Sequence, residues 1–430
     1  MSLKLVATFG LLLSGVTPKS PPVPKALLLT GAKILSSDGR GLLENRSVLI
    51  THGRIAAIFP ANQDAPPQAR TARRIDLGGL VLLPGLMDLH SHMLLHPYDE
   101  ATWNDQVLRE SIGLRTIRAV VAARATLEAG FTTLRDLGTE GAGYADVALR
   151  DAITQGIIPG PRLVVVTRAI VATGCYGPSG FDPRWKMPKG AQVADGVAGV
   201  RRVVREQIAA GADWIKVYAD YHRRPGGPAT PTFSQEELNA LVDEAHSAGL
   251  RVSAHATTSE AIRRAVLAGV STIEHGYGAS ADVLALMQQH GVALCPTLAA
   301  TEAVARYAGW RPGQPEPAGI QQARAMFARA LASGVAIACG SDVGVFLHGQ
   351  NARELELMVA YGMSPAQALR SATLVAAKVL GRKDDLGRIA KGYVADLIAV
   401  RSNPLKNISA LRHPVLVLKE GRIVVDRCTP

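Results

Sequence analysis

The chain is poor in cysteine, and the four it has, Cys175, Cys295, Cys339 and Cys428, lie far apart with no CxxC spacing. Neither a cysteine-built zinc knuckle nor a disulfide framework is implied, and the redox compartment stays open. Also missing is any basic run that alternates with aromatic residues. Lys and Arg are scattered over helix-like segments, so the formal charge of +11 and the pI near 9.7 favour acidic ligands or surfaces over nucleic acid. The apolar run Leu5 to Val16, after Met1-Ser2-Leu3-Lys4, has the charge and length of a signal peptide and is too short to span a bilayer. No small-x-small cleavage site follows it. Leu13-Ser14-Gly15 resembles the start of a lipoprotein box, but Val16 stands where that box needs cysteine, so no membrane anchor of that kind is expected. Residues 1–25 are expected to be a leader plus a Pro18 to Pro24 linker. The place is periplasmic or secreted if the leader is a signal peptide, and cytoplasmic otherwise.

What the chain does have is length and turns. At 430 residues and 45.4 kDa it exceeds a single (β/α)₈ barrel by enough for a second, smaller domain. A hydrophobic content of 47% with 42 Gly and 25 Pro suits a compact α/β protein. Short β-like runs crowd both ends: Leu27-Leu28-Leu29, Gly31 to Leu35, Ser47 to Ile50, Arg54 to Ile58 and Arg74 to Leu77, then Gly387 to Ile389, Ala395 to Val400, Val415 to Leu418 and Gly421 to Val425. Neither set can bury two faces alone, so residues 26–84 and 385–430 are expected to pair as one small β-sandwich domain.

Between them, helix-like segments repeatedly stop at a glycine that is followed at once by an apolar run. Gly130, Gly211, Gly249, Gly269, Gly291 and Gly334 mark these steps. Glycine suits the left-handed residue that closes a helix, so each step reads as one α-to-β transition. With strands at Leu80 to Asp88 and Arg162 to Val166 the count reaches eight, which predicts a TIM-like (β/α)₈ barrel over residues 85–384.

A barrel keeps its chemistry at the carboxyl ends of its strands. There the chain places His90 and His92 on strand one, Lys216 on four, His255 on five, His275 on six and Asp342 on eight. His90 and His92 are two apart in an extended segment, so they share a face and could share a cation, or be two satisfied strand-end imidazoles. Lys216, in Trp214-Ile215-Lys216-Val217-Tyr218, puts an amine on the inward face of an apolar strand, where an unpaired ammonium is costly. A salt bridge answers that cost, and so does conversion to a carbamate, which turns the cation into a bidentate anion.

Taken together, Pro84-Gly85-Leu86-Met87-Asp88-Leu89-His90-Ser91-His92, Phe131 to Gly138, Gly211 to Val217, Ala254-His255-Ala256, Ile273-Glu274-His275-Gly276, Gly340-Ser341-Asp342 and Gly392 to Leu397 resemble the metal-dependent amidohydrolase superfamily. The likeness is to its binuclear branch, with imidazolonepropionase-like proteins, Xaa-Pro and Xaa-Arg dipeptidases and ochratoxin-hydrolysing amidohydrolases. It covers nearly everything from Ala26 onward. The resemblance implies two divalent metal ions, zinc expected: His90, His92 and Asp342 on one, His255 and His275 on the other, and carbamylated Lys216 bridging them. It also implies a hydroxide nucleophile and Asp342 as the group that carries its proton to the leaving amine.

Substrate contacts are less sharply marked. Where some relatives carry Gly-Gly-His after strand three, this chain has Thr173-Gly174-Cys175-Tyr176-Gly177, so Tyr176 either polarises the carbonyl or the role is absent. Tyr218, Tyr221 and Arg223, with His222 and Arg224 beside them, form a donor-rich loop suited to a substrate carboxylate, or are solvated loop residues. His348-Gly349-Gln350-Asn351 could reach the leaving group or serve the loop. Asp88 lies one pleat below His90 and is expected to hydrogen-bond there. Arg135 and Asp136 read as supporting residues, and His96 is close enough to strand one to stay in view.

The expected activity is hydrolysis of an amide bond in a small carboxylate-bearing substrate: a dipeptide, an N-acyl amino acid or an ochratoxin-like amide. Lactone or phosphotriester hydrolysis on the same metals, and a metal-free scaffold, are the alternatives. Assembly into a homo-oligomer is left open.

Overall fold

In a computed structural model of the chain, residues 26–182, 184–224 and 226–428 are described, and the leader and linker expected over 1–25 lie outside them. Among the described residues no helix is long and apolar enough to cross a membrane.

The two ends of the chain share one eight-stranded sheet. Ala26–Leu35, Leu42–Thr51, Arg54–Pro60, Arg73–Asp76 and Val81–Pro84 come from the N-terminal side, and Leu397–Val400, Leu416–Lys419 and Arg422–Asp426 from the C-terminal side. The strand Ala26–Leu35 has Leu42–Thr51 antiparallel on one edge, while its other edge pairs first with Arg73–Asp76 and then with Val81–Pro84. The switch falls at Gly31, whose φ of 73° sits beside a register shift between Leu29 and Ala32. The expected sandwich is therefore hydrogen-bonded as a single sheet, curled over Leu27, Leu29, Ile34, Val48, Leu82, Leu397 and Leu416. Val81–Pro84 against Leu397–Val400 is the seam that joins the two ends. The strand expected at Gly387 to Ile389 is absent. There the backbone of Gly387 lies so close to the Thr373 carbonyl that a Cβ would come within 2.7 Å, and Ile389 is packed into the sheet's core from a loop.

The middle of the chain is built of parallel strands and helices. Leu86–Ser91, Phe131–Asp136 and Arg162–Val165 form one parallel sheet. Gln192–Val193, Ile170–Val171, Trp214–Tyr218, Arg251–Thr258, Thr272–Gly278 and Ala293–Cys295 form another. The two are linked on both sides. The Asp213 N–H donates to the Val165 carbonyl at 2.8 Å, and the stretch from Ala336 to Asp342 bonds to Leu294 on one flank (2.8 and 2.9 Å) and to Leu89 and His90 on the other (2.8 and 2.7 Å). The strand expected after Gly334 thus exists as two bridging points, Leu294 with Ile337 and Ser91 with Val343, and not as a continuous strand.

All six step glycines have φ between 68° and 101°, the left-handed region that ends a helix. The helices between them press one apolar face on the strands. Val200, Val203 and Val204 do so from Gly196–Ala209, and Leu238, Leu241 and Val242 from Gln235–Ser247, which opens with a Ser234–Glu237 capping box.

The C-terminal segment is also clamped through charge. Glu356, on helix Ala352–Ala360, accepts hydrogen bonds from Arg353 and from Arg412, which closes the short turn Ile408–Arg412. Burial alone would raise the Glu356 carboxyl, but hydrogen bonds from Arg412, Arg353 and Ser409 outweigh it and hold the group at about 2. A carboxyl depressed on folding stabilises the folded state above its unfolded pKa of about 4.3, and that contribution fades as pH falls towards 2. Glu356→Gln should therefore cost about 3 kcal/mol near pH 7. In calorimetric melts the gap from wild type should narrow steadily below about pH 5, and a gap independent of pH would refute the clamp.

Candidate metal centre

The strand ends bring the expected ligands to one mouth. His90 closes Leu86–Ser91, His92 follows it, Lys216 sits in Trp214–Tyr218, His255 in Arg251–Thr258 and His275 in Thr272–Gly278. Ring centroids are 5.4 Å apart for His90 and His92, 5.0 Å for His90 and His275, and 4.5 Å for His255 and His275. Ligand atoms of His90, His275 and Asp342 all lie within 4.8 Å of one another. Asp342 Oδ1 is 3.5 Å from His90 Nε2 and 3.3 Å from His92 Nε2.

Three of the four imidazoles are hydrogen-bonded from behind through one nitrogen. His90 Nδ1 donates to Glu274 Oε2 at 2.8 Å and His92 Nδ1 to the Gly138 carbonyl at 3.0 Å, while His275 Nδ1 meets Thr297 Oγ1 at 2.8 Å. His255 is turned the other way, with Nε2 3.6 Å from Asp220 Oδ1. One nitrogen of each ring is left for a cation. Burial, assisted by neighbouring cations such as Lys216, pushes His90 and His275 well below the usual imidazole range and His255 down to about 3. These rings are neutral, the form that ligates metal.

Lys216 is 1% exposed and makes no ion pair among the described residues. Burial lowers its ammonium to about 8, against the pull of Glu274. Asp342 is raised to about 6 by burial, opposed by His92 and Lys216. The non-glycine residues His275, Asp342, Thr297, Glu140 and Tyr176 all have φ between 42° and 69°, so left-handed backbone gathers in this region. Neutral imidazoles with inward lone pairs, a carboxylate and an unpaired buried lysine form a nitrogen and oxygen donor set that fits divalent cations of the zinc type.

Beside the ligands lies a cavity of about 510 Å³. Tyr98, Tyr176, Tyr218, Tyr221 and Tyr277 wall it with Val304, Ile320 and Val345, and no described Lys or Arg lines it. Tyr218 stacks on His255 at 4.6 Å and on Tyr176 at 4.3 Å. Tyr176, Tyr218 and Tyr221 are thus brought together with the ligands, and Tyr98 and Tyr277 join them unforeseen. Tyr277 had a signal, two residues after His275 on one strand, whereas Tyr98 lies on a loop.

Two expected contacts are not brought to the cavity. The exposed Arg223 guanidinium donates to the carbonyls of Pro231 (2.6 Å) and Thr232 (3.4 Å), which tie it to its own hairpin. His348 is buried with Nε2 on the Leu95 carbonyl at 3.1 Å, where it props the loop after strand one. Asn351 donates to Asp88 at 2.8 Å, and Asp88 also accepts from the backbone of His90 and Ser341, below the ligands as expected. The His96 ring lies between Glu100 (3.0 Å) and Glu110 (2.8 Å), away from the cavity. Glu140 is a further residue that the sequence reading missed. It is fully buried, its Oε2 accepts from Trp103 Nε1 at 2.8 Å and from the Tyr176 hydroxyl, and its Oε1 lies 3.5 Å from His92 Nδ1. The Tyr176 proton is therefore committed to Glu140.

A family model described as the amidohydrolase family matches residues 81–424. An ochratoxinase from Aspergillus niger is 30% identical over 422 residues, covering 91% of this chain and 85% of that one. A crystal structure of a Xaa-Pro dipeptidase with bound methionine superposes with a TM-score of 0.84 at 32% identity, covering 93% of this chain and 99% of that one. A prolidase complexed with N-methylphosphonate-L-proline gives 0.82 at 33%, covering 93% and 100%.

Tyr176→Phe should leave the buried Glu140 carboxylate with Trp103 as its one remaining side-chain donor and cost about 1–3 kcal/mol. A melt indistinguishable from wild type would show that the bond contributes nothing.

Proposed function

The chain belongs to the amidohydrolase family, and from that premise we propose that it hydrolyses an amide bond in a small substrate at a pair of divalent metal ions, zinc first among them, on a closed (β/α)₈ barrel. The barrel reading is supported by the parallel strands and by the hydrogen bonds that link the two sheets on both flanks. One observation carries the metal reading: donor atoms of His90, His275 and Asp342, from three separate strands or strand ends, meet within 4.8 Å.

In this reading His90, His92 and Asp342 would hold one ion and His255 and His275 the other, and Lys216, once carbamylated, would supply oxygen donors to both. Such ions supply Lewis acidity, which brings the pKa of water from about 15.7 towards 7 and polarises a carbonyl. Everything else falls to the chain's own groups. A buried amine at about 8 has a neutral fraction near physiological pH, the form that can add CO₂. Asp342 Oδ1, beside both His90 and His92, is placed to take a proton from the attacking water and return it to the leaving nitrogen, without which an amide nitrogen leaves poorly. The stacked Tyr176, Tyr218 and His255 rings present a flat wall that orients the substrate and excludes water.

Likeness to an ochratoxinase and to Xaa-Pro dipeptidases supports dipeptides, N-acyl amino acids or ochratoxin-like amides as substrates. A substrate carboxylate in this cavity would meet tyrosine hydroxyls such as those of Tyr98 and Tyr221, with the overall charge of +11 as a long-range attraction.

Purified protein should carry two divalent ions per chain, and chelation should abolish turnover of N-acyl amino acids and dipeptides. Lys216→Ala should lower kcat/KM by more than about 100-fold and recover in part with short carboxylic acids plus metal. Full activity in the plain variant would overturn the carbamate. Faster turnover of lactones or phosphotriesters would move the assignment to those substrates, and protein free of divalent metal would leave a scaffold.

A further inference from the structure

We propose that Arg135 and Glu274 are positioning residues: a buried ion pair that fixes the tautomer and direction of His90, and so sets how tightly one of the two ions is held. The consequence for the ion rests on the metal reading above, but the tautomer does not.

Both side chains have no exposed surface. Glu274 Oε2 accepts from His90 Nδ1 at 2.8 Å, and its Oε1 accepts from Arg135 Nη2 at 2.8 Å and from the Thr272 hydroxyl. Arg135 reaches Glu274 from a strand, Phe131–Asp136, that does not pair with the strand of Glu274. Its Nε donates to the Leu89 carbonyl at 2.7 Å and its Nη1 to Thr272 Oγ1 at 3.0 Å, while its guanidinium lies 4.7 Å over the Trp214 ring. One cation is thereby fastened to elements that carry four of the strands around the mouth.

The pairing has a directional result. Oε1 is taken by two donors, the Arg135 guanidinium and the Thr272 hydroxyl, and Oε2 is left facing His90 Nδ1. A carboxylate paired with a guanidinium in this way offers acceptors only. His90 must then donate from Nδ1, and its Nε2 lone pair is turned towards Asp342 and the mouth. No other ring among the expected ligands is backed by a carboxylate paired with arginine. His92 leans on a carbonyl, with Glu140 Oε1 3.5 Å away, and His275 on a hydroxyl. His255 faces Asp220, whose oxygens already accept from the backbone and hydroxyls of Thr257 and Thr258. A plain structural ion pair would need no third partner. This one ends on a candidate ligand, and replacing a buried pair by uncharged groups is often neutral for stability.

The test begins with metal-free protein carrying ¹⁵N-labelled histidine. Wild type should show His90 as the Nδ1–H tautomer, and Glu274→Gln and Arg135→Met should show a mixture. In equilibrium competition with a chelator these variants should hold one ion about 10–100-fold more weakly and the other as wild type does, while Arg135→Lys should keep the wild-type tautomer and affinity. The double variant Arg135→Met with Glu274→Gln leaves no unpaired charge behind, and it should fold yet show the same loss. A wild-type His90 in the Nε2–H form would overturn the proposal. So would any folded variant lacking Glu274 that keeps both tautomer and affinity. Wild-type protein that binds no metal at all would instead remove the hydrolase reading, with the tautomer result standing separately.

Discussion

Desolvation is the constraint on which the rest of the molecule depends. Four imidazoles, an amine and a carboxylate are drawn out of water at one mouth, and burial disfavours the charged forms of His90, His255, His275, Lys216 and Asp342 alike. Burial takes His255 to about 3 and Lys216 to about 8, and lifts Asp342 to about 6. The result is a group of lone pairs whose hydration has been removed by folding and whose directions are set by bonds on their outer side. Strain gathers in the same place, in the left-handed backbone of His275, Thr297 and Asp342. A scaffold with no cation to hold would have little reason to bear both costs.

Much of this was legible in the sequence because alternating strands and helices are periodic. The step glycines repeat, and the apolar runs after Gly211, Gly249, Gly269 and Gly334 lead to Lys216, His255, His275 and Asp342, while the run from Leu80 leads to His90 and His92, so these six could be named without coordinates. What was not legible depends on loop direction. Arg223 has the composition of a substrate contact but turns back on its own hairpin, and His348 turns inward to a carbonyl. Glu140 and Tyr98 lie beyond strand ends, where no periodicity places a side chain, and Glu140 adds a left-handed φ that its residue type does not announce. The last parallel segment was read as a strand from its apolar run. Its hydrogen bonds instead divide between Leu294 on one side and Leu89 and His90 on the other, a pattern that local composition does not reveal.

The cavity and the ligand cluster are built by different rules. The expected ligands sit on strands or just beyond their ends, and the rings of His90, His92 and His275 each have a hydrogen-bond partner on the outer side. The cavity takes Tyr176 and Tyr98 from loops, and its aliphatic side from Val304 on helix Leu298–Tyr307 and Ile320 on helix Ala318–Ser333. Such walls can vary without disturbing the cluster at the strand ends, which is how one fold is turned to different substrates.

The seam between Val81–Pro84 and Leu397–Val400 has a bearing on how the molecule comes into being. Only Gly85 separates Pro84 from the strand that carries His90, and its N–H donates to the Asp396 carbonyl at 2.7 Å. The first ligand strand is therefore moored to a part of the polypeptide made more than three hundred residues later. A nascent chain can stack its helices and early strands while it is being synthesised, yet the anchorage of its earliest histidines must wait for nearly the whole length to emerge. The order of translation and the order of maturation run in opposite directions.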